Sequence, residues 1–273
     1  MSAKQRFARH MTFFGAEGQD RISESTVAVI GVGGLGSQLV QQLAYLGVRR
    51  FTLIDADRVA TSNLNRLIGA AAPDVGAWKV EIAARVITAV EPTAEIACER
   101  QPFTGKDLSA IASADVVFGC VDEDPPRLEI LRSASAYALA YVDLASDITP
   151  EGEFGGRIVF AKDGERCLSC LGELDQHALA RARMTKEQRA ADDAIYGIDR
   201  AALDDGGPSV VSVNGVVASL AVTEFLVWRT GLREPAGFLT YRGDLGTVSR
   251  RADPPREFCA YCMRQWGSAL AAG

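Results

Sequence analysis

The sequence predicts an α/β fold whose sheet is mostly parallel in the first half of the chain and extended by antiparallel strands in the second. Three observations carry that expectation. Up to about residue 145, short β-rich apolar runs alternate with longer stretches of helical period, as in a parallel sheet covered on both faces. A glycine-rich turn falls directly between the first strand and the next helix. Beyond that half, apolar runs are joined by turns instead of helices, which suits antiparallel neighbours.

In chain order, the parallel strands are expected at TVAVIG (26–31), RFTLID (50–55), AEIACE (94–99), DVVFGC (115–120) and AYVDLA (140–145). Helical patterns separate them at residues 34–46, 76–90, 106–112 and 126–138. Right-handed crossovers then nearly fix the topology. EFGGRIVFAK, GFLTYRG and GTVSRR supply the antiparallel additions. Residues 171–207 are charged, Ala-rich and without a strand signal, so they read as a helical crossover segment and a candidate lid. The run from Pro208 to Gly231 is apolar almost all round and is expected to be a helix packed inside the molecule. No repeat or low-complexity linker divides the chain. Residues 1–273 are therefore read as one domain, with an N-terminal helical arm at 1–20 and a tail at 256–273.

Composition narrows the function. With 48% hydrophobic and 23% charged residues, the 273-residue chain has the make-up of a globular protein. A net charge of -6 gives no basic field for nucleic acid or anionic lipid. The opening MSAKQRFARHMTFFGAEG lacks the form of a targeting segment, and no later window is expected to hold the ~20 apolar residues of a membrane helix. A cytoplasmic protein is the expectation.

Gly31-Val32-Gly33-Gly34-Leu35-Gly36 follows a strand and opens a helix. Glycines there let the backbone approach phosphate oxygens, and the helix N-terminus offers oriented N–H groups. Asp55, ending the next strand, stands at the right remove for ribose hydroxyls. Together these features make the fold Rossmann-like and point to a nucleotide without saying which. An NAD-dependent oxidoreductase is the competing reading. Its hydride step commonly needs an acid or base, for which the chain offers only His10 and His177.

After Asp55 runs Ala56-Asp57-Arg58-Val59-Ala60-Thr61-Ser62-Asn63-Leu64-Asn65-Arg66, with Lys79 at the start of a later helix. This stretch resembles the D-x-D-x-V-x-x-S-N-L-x-R signature and trailing lysine of the ThiF/MoeB/HesA adenylyltransferases, bacterial relatives of ubiquitin-activating enzymes. The resemblance runs from Arg6-Phe7-Ala8-Arg9-His10 to the final Cys-Ala-Tyr-Cys. It implies ATP-dependent adenylation of the C-terminal glycine carboxylate of a ubiquitin-like or sulfur-carrier protein ending in Gly-Gly, with release of pyrophosphate. A peptide or small carboxylate is the alternative substrate. The attack brings an anion to a polyanion, so cations and Mg2+ must neutralise the phosphates. By the resemblance, Arg66 and Lys79 contact the phosphates, Asn63 positions them, Asp55 holds the ribose and Gly34 lies against the nucleotide. Asp57 and Ser62 belong to the same nucleotide-binding string.

Asp122 follows the strand DVVFGC, at the edge where ligands of such folds bind. The family has D-N-x-x-x-R here, and its aspartate supports Mg2+ and the α-phosphate. This chain reads Asp122-Glu123-Asp124-Pro125-Pro126-Arg127, with glutamate in place of asparagine. Asp124 reads as the N-cap of the following helix rather than a second metal ligand. Arg9 matches an arginine that in the family reaches the neighbouring subunit's site, which implies a homodimer.

Cys167-Leu-Ser-Cys170 and Cys259-Ala-Tyr-Cys262 form two CxxC knuckles, the pattern of a closed structural Zn2+ site. Such a site would clamp the tail onto the middle of the chain. Some relatives pass the acyl group to a cysteine in the crossover. Residues 171–207 contain none, and Cys98 and Cys120 fall in predicted strands, so catalysis is expected to stop at the acyl adenylate.

Overall fold

The computed structural model describes residues 3–105, 108–189, 207–251 and 258–270. Its centre is an eight-stranded sheet of order β3-β2-β1-β4-β5-β6-β7-β8. Strands β1 (Thr26–Ile30), β2 (Arg50–Ile54), β3 (Glu95–Glu99), β4 (Val116–Gly119) and the first part of β5 (Ala140–Ile148) pair in parallel. Strands β6 (Phe154–Ala161), β7 (Phe238–Arg242) and β8 (Thr247–Arg250) extend it antiparallel. The α/β class and the change of strand direction halfway are therefore as the sequence predicts.

Helices on both faces explain why β1 and β4 are almost wholly apolar and buried. The N-terminal arm consists of α1 (Ala3–Arg6) and α2 (Ala8–Ser23), the latter kinked at Gly15, whose φ is +76°. Helix α3 (Gly34–Leu46) turns Leu35, Leu39, Val40 and Leu43 to the sheet and ends at Gly47 in the left-handed region. Phe7 of the arm packs on that turn, where a Cβ at Gly47 would lie 2.7 Å from its ring. Helix α4 (Lys79–Val90) follows β2 after a long loop. Helix α5 (Asp124–Ala136) precedes β5, and α6 (Leu168–Leu171) and α7 (Gln176–Ala182) follow β6. Helix α8 (Val211–Thr230) packs on α3, α2, β5 and β6.

Several expectations are corrected. The helical pattern at 106–112 yields only a 3-10 turn at Leu108–Ala110, with residues 106 and 107 outside the described set. Asp124 is the first residue of α5 and Glu123 its N-cap; the Asp124 carboxylate instead accepts the Asp175 N–H at 2.6 Å. Helix α8 is apolar almost all round, as expected, but not wholly internal, because Ser219 and Thr223 face outward. Contrary to expectation it is long and apolar enough to cross a membrane, yet half of that stretch is buried inside the protein. Of the candidate lid, residues 190–206 lie outside the described set.

Candidate active site

The strand order reverses between the parallel neighbours β1 and β4, and a cavity of about 890 Å³ opens at the carboxyl ends of these strands. Gly31, Gly33, Gly34, Asp55, Asp57, Arg66, Lys79 and Asp122 all line it. The glycine turn is built for close approach. Gly31 has φ +87°, and a Cβ there would lie 2.8 Å from the Cys120 carbonyl oxygen. A Cβ on Gly36 would lie 2.0 Å from the Gly31 oxygen, so Gly36 serves helix-on-strand packing and does not itself line the cavity.

Asp55 fixes the turn. Its Oδ2 accepts the Val32 N–H at 2.7 Å and its Oδ1 the Asp57 N–H at 2.8 Å. Burial nevertheless pushes its carboxyl above the usual carboxylate range, outweighing those two amides and the nearby Lys79.

The loop from Asp55 to Lys79 is a packed excursion with its own small core of Val59, Leu67 and Ile82. Val59 and Ala77 pair through their backbones at 2.8 Å, and Arg58 stacks 3.9 Å over the Trp78 ring. Lys79 is thereby delivered to the cavity wall, where its Nζ meets Asp57 Oδ2 at 2.7 Å. Arg66 lies across Gly34, and its Nη1 donates to the Ser62 carbonyl at 2.6 Å. Asn63 and Ser62 do not line the cavity. Asn63 Oδ1 accepts the Ala60 N–H at 3.1 Å, shaping the turn that presents Arg66.

The other half of the cavity comes from residues to which the sequence analysis gave no role. Asp143 on β5, with no exposed surface, accepts the Tyr141 hydroxyl at 2.8 Å and Arg157 Nη1 at 2.5 Å. Arg127 Nε stands 3.5 Å from Asp143 without hydrogen-bond geometry, while its Nη2 donates to the Val121 carbonyl at 2.7 Å. Arg157 also pairs with Glu173 at 2.8 Å. Arg157, Arg127, Ser146, Asp147, Ser209 and Asn214 face this half. Burial and the Asp143 charge together raise the Tyr141 phenol well above its ordinary value.

Arg9 is exposed on α2 and does not line the cavity. His10 bonds Gln19 at 3.2 Å, and His177 sits in the first turn of α7. Neither histidine lines the cavity.

In the core cluster that includes Leu128 and Leu131 of α5, the four sulfurs of Cys167, Cys170, Cys259 and Cys262 lie within 4.8 Å of one another, all buried. Four thiolates at Zn–S of about 2.3 Å around one tetrahedral ion require sulfur separations of this order, with no vertex left for water. The donor set thus fits a closed structural site. The tail is held to α5 as well, through Gly267 and Ala269 N–H groups on the Ser135 and Ala136 carbonyls. Cys120 is buried and Cys98 half-buried, and burial raises both thiols, which suits neither as a nucleophile.

A doubly wound sheet with a glycine turn, a strand-end acid, a loop arginine and a helix-initial lysine on one cavity defines a nucleotide-binding protein of the Rossmann-like class. The chain belongs to the ThiF family, whose match spans residues 7–260. It is 34% identical over 162 residues to the molybdopterin-synthase adenylyltransferase of Escherichia coli K12, covering 59% of this chain and 64% of that protein. It is 30% identical over 226 residues to the sulfur carrier protein ThiS adenylyltransferase of the same strain, covering 82% and 79%. The chain spans 40% to 64% of the length of the first curated relatives it matches. In fold it is similar to E. coli MccB solved with ATP, with TM-score 0.72 and 19% identity over 94% of this chain and 74% of that one.

Proposed function

We propose that the protein is an adenylyltransferase that activates the C-terminal glycine carboxylate of a ubiquitin-like or sulfur-carrier protein with ATP. A carboxylate oxygen attacks the α-phosphorus, the bond to the bridging oxygen breaks, and pyrophosphate leaves. One observation carries this reading: Gly33, Gly34, Asp55, Arg66, Lys79 and Asp122 face a single cavity large enough for a nucleotide and the end of an acceptor. Relatives named as adenylyltransferases of molybdopterin synthase and of ThiS support the choice of acceptor.

In this reading Arg66 and Lys79 hold the phosphates, the glycine turn approaches them through its backbone, and Asp55 receives the ribose. Pro102 and Phe103 offer apolar surface to the base. The lining carries more acidic than basic side chains, so a tetra-anionic nucleotide needs a divalent cation to enter. Asp122 would hold that Mg2+, which supplies charge neutralisation during transfer. Asp124 is already engaged by Asp175 and Arg127. Arg9, exposed and outside its own cavity, acts on the site of a second copy in a homodimer. The four cysteines hold a structural Zn2+. The crossover has no cysteine, so the product is the free acyl adenylate.

The polar acceptor half, with Ser146, Asp147 and Ser209, equally suits the terminus of a short peptide, which is the second reading. Incubation with Mg-ATP and each class of acceptor separates the two. An acceptor mass increased by one adenylyl group, AMP less water, supports the reading for that class. Intact ATP with both classes overturns it.

A further inference from the structure

Asn214 has no place in the sequence expectations or in the roles above, yet it occupies the seam between the two halves of the cavity. It lies in the first turn of α8, is 1% exposed, and lines the cavity. Its Oδ1 accepts the Ser146 hydroxyl at 2.9 Å, and its Nδ2 donates to Ser209 Oγ at 3.0 Å. On the opposite side, a Cβ added to Gly34 would lie 2.4 Å from Asn214 Nδ2 and 3.4 Å from Arg66 Cδ. The amide and the arginine therefore roof the same glycine, at the helix N-terminus where phosphate oxygens are drawn. Ser146 belongs to β5 and the acceptor half.

A carboxamide buried in so apolar a helix costs free energy unless each polar group finds a partner. Asn carries two N–H donors, and Ser209 takes one. We propose that Asn214 is a catalytic residue whose second Nδ2–H donates to a nonbridging oxygen of the ATP α-phosphate, an inference that rests on the adenylyl-transfer reading. In the step it assists, a carboxylate lone pair forms the new O–P bond. The electron pair of the broken P–O bond departs with pyrophosphate, and no proton moves. A fixed donor at the α-phosphate stabilises the charge on its oxygens without changing chemically. Ser146 is a positioning residue, because its hydroxyl anchors Oδ1 and turns the amide hydrogens toward Gly34.

The test is calorimetric binding of Mg-ATP and of the two diastereomers of adenosine 5′-O-(1-thiotriphosphate), in which sulfur replaces one α-oxygen. Sulfur accepts hydrogen bonds weakly, so the wild type separates the diastereomers by about tenfold. Asn214→Ala binds Mg-ATP about tenfold less tightly and narrows the diastereomer ratio to within about twofold. Asn214→Asp keeps the volume and the acceptor for Ser146 but lacks the donor, and it narrows the ratio equally. A purely structural role lowers the Tm and leaves the ratio alone. Variants that retain the wild-type ratio, or a wild type that binds both diastereomers equally, overturn the inference while the adenylyl-transfer reading stands. A wild type that binds no ATP removes both.

Discussion

Lys79 and Asp57 are joined twice: the Lys79 backbone N–H donates to the Asp57 carbonyl at 3.0 Å, and Lys79 Nζ lies 2.7 Å from Asp57 Oδ2. The lysine side chain is 13% exposed and the aspartate 67%, so the ion pair is half in water and easily exchanged for a phosphate. The backbone bond keeps the lysine aimed after that exchange.

Removing the ammonium should therefore harm binding and spare the fold. Lys79→Ala is expected to weaken Mg-ATP binding at least about tenfold in calorimetry, with stability changed by about 1 kcal/mol or less. Asp57→Asn, which leaves the lysine in place, is expected to hold ATP affinity within about threefold.

Gly36→Ala should act on the fold first. The new Cβ would fall 2.0 Å from the Gly31 oxygen, and neither backbone can retreat without parting α3 from β1. A loss of about 3 kcal/mol in denaturant unfolding is expected, against a much smaller loss for Gly33→Ala, where nothing lies within 4 Å.

The arm should loosen in acid. Burial of Glu91 pushes its carboxyl up, but the Thr93 hydroxyl and the charge of Arg6, 2.6 Å away, outweigh burial and hold it below its ordinary value near 4.5. A depressed carboxyl contributes stability that is fully present above its unfolded titration and is lost as pH falls through the folded one. Hydrogen-exchange protection factors of residues 3–15 should therefore fall as the pH drops below the ordinary carboxyl value near 4.5 in the wild type, and in Glu91→Gln should already be low at neutral pH.

Metal content should follow the cysteines. The purified protein is expected to carry one Zn2+ per chain, and Cys262→Ser to lose it and to release the tail to protease. Cobalt substitution should give the absorption of a four-thiolate tetrahedral site.

Local strings in the sequence carried much of the site. The glycine turn, Asp55, Arg66, Lys79 and Asp122 each sit within a motif whose spacing is set by one strand end or one loop, and all reach the cavity. The cysteine pairs were legible for the same reason, since ligand type and spacing suffice without knowing the path between them. Asp143, Arg157 and Asn214 were not legible. Asp143 sits in AYVDLA like any strand residue, and only its bonds to Tyr141, two residues before it, and to Arg157 on the neighbouring β6 support it as a buried charge. Asn214 is one amide in an apolar helix, and its place over Gly34 depends on how α8 packs on α3. Arg9 lies outside the cavity of its own chain, so the role proposed for it requires a second chain.

The most direct test of the central claim is exchange of labelled pyrophosphate into ATP, measured with Mg2+ present across a panel of small proteins ending in Gly-Gly. The account predicts exchange that depends on one such acceptor and disappears in Lys79→Ala. Exchange absent with every acceptor, or undiminished in Lys79→Ala, would contradict it.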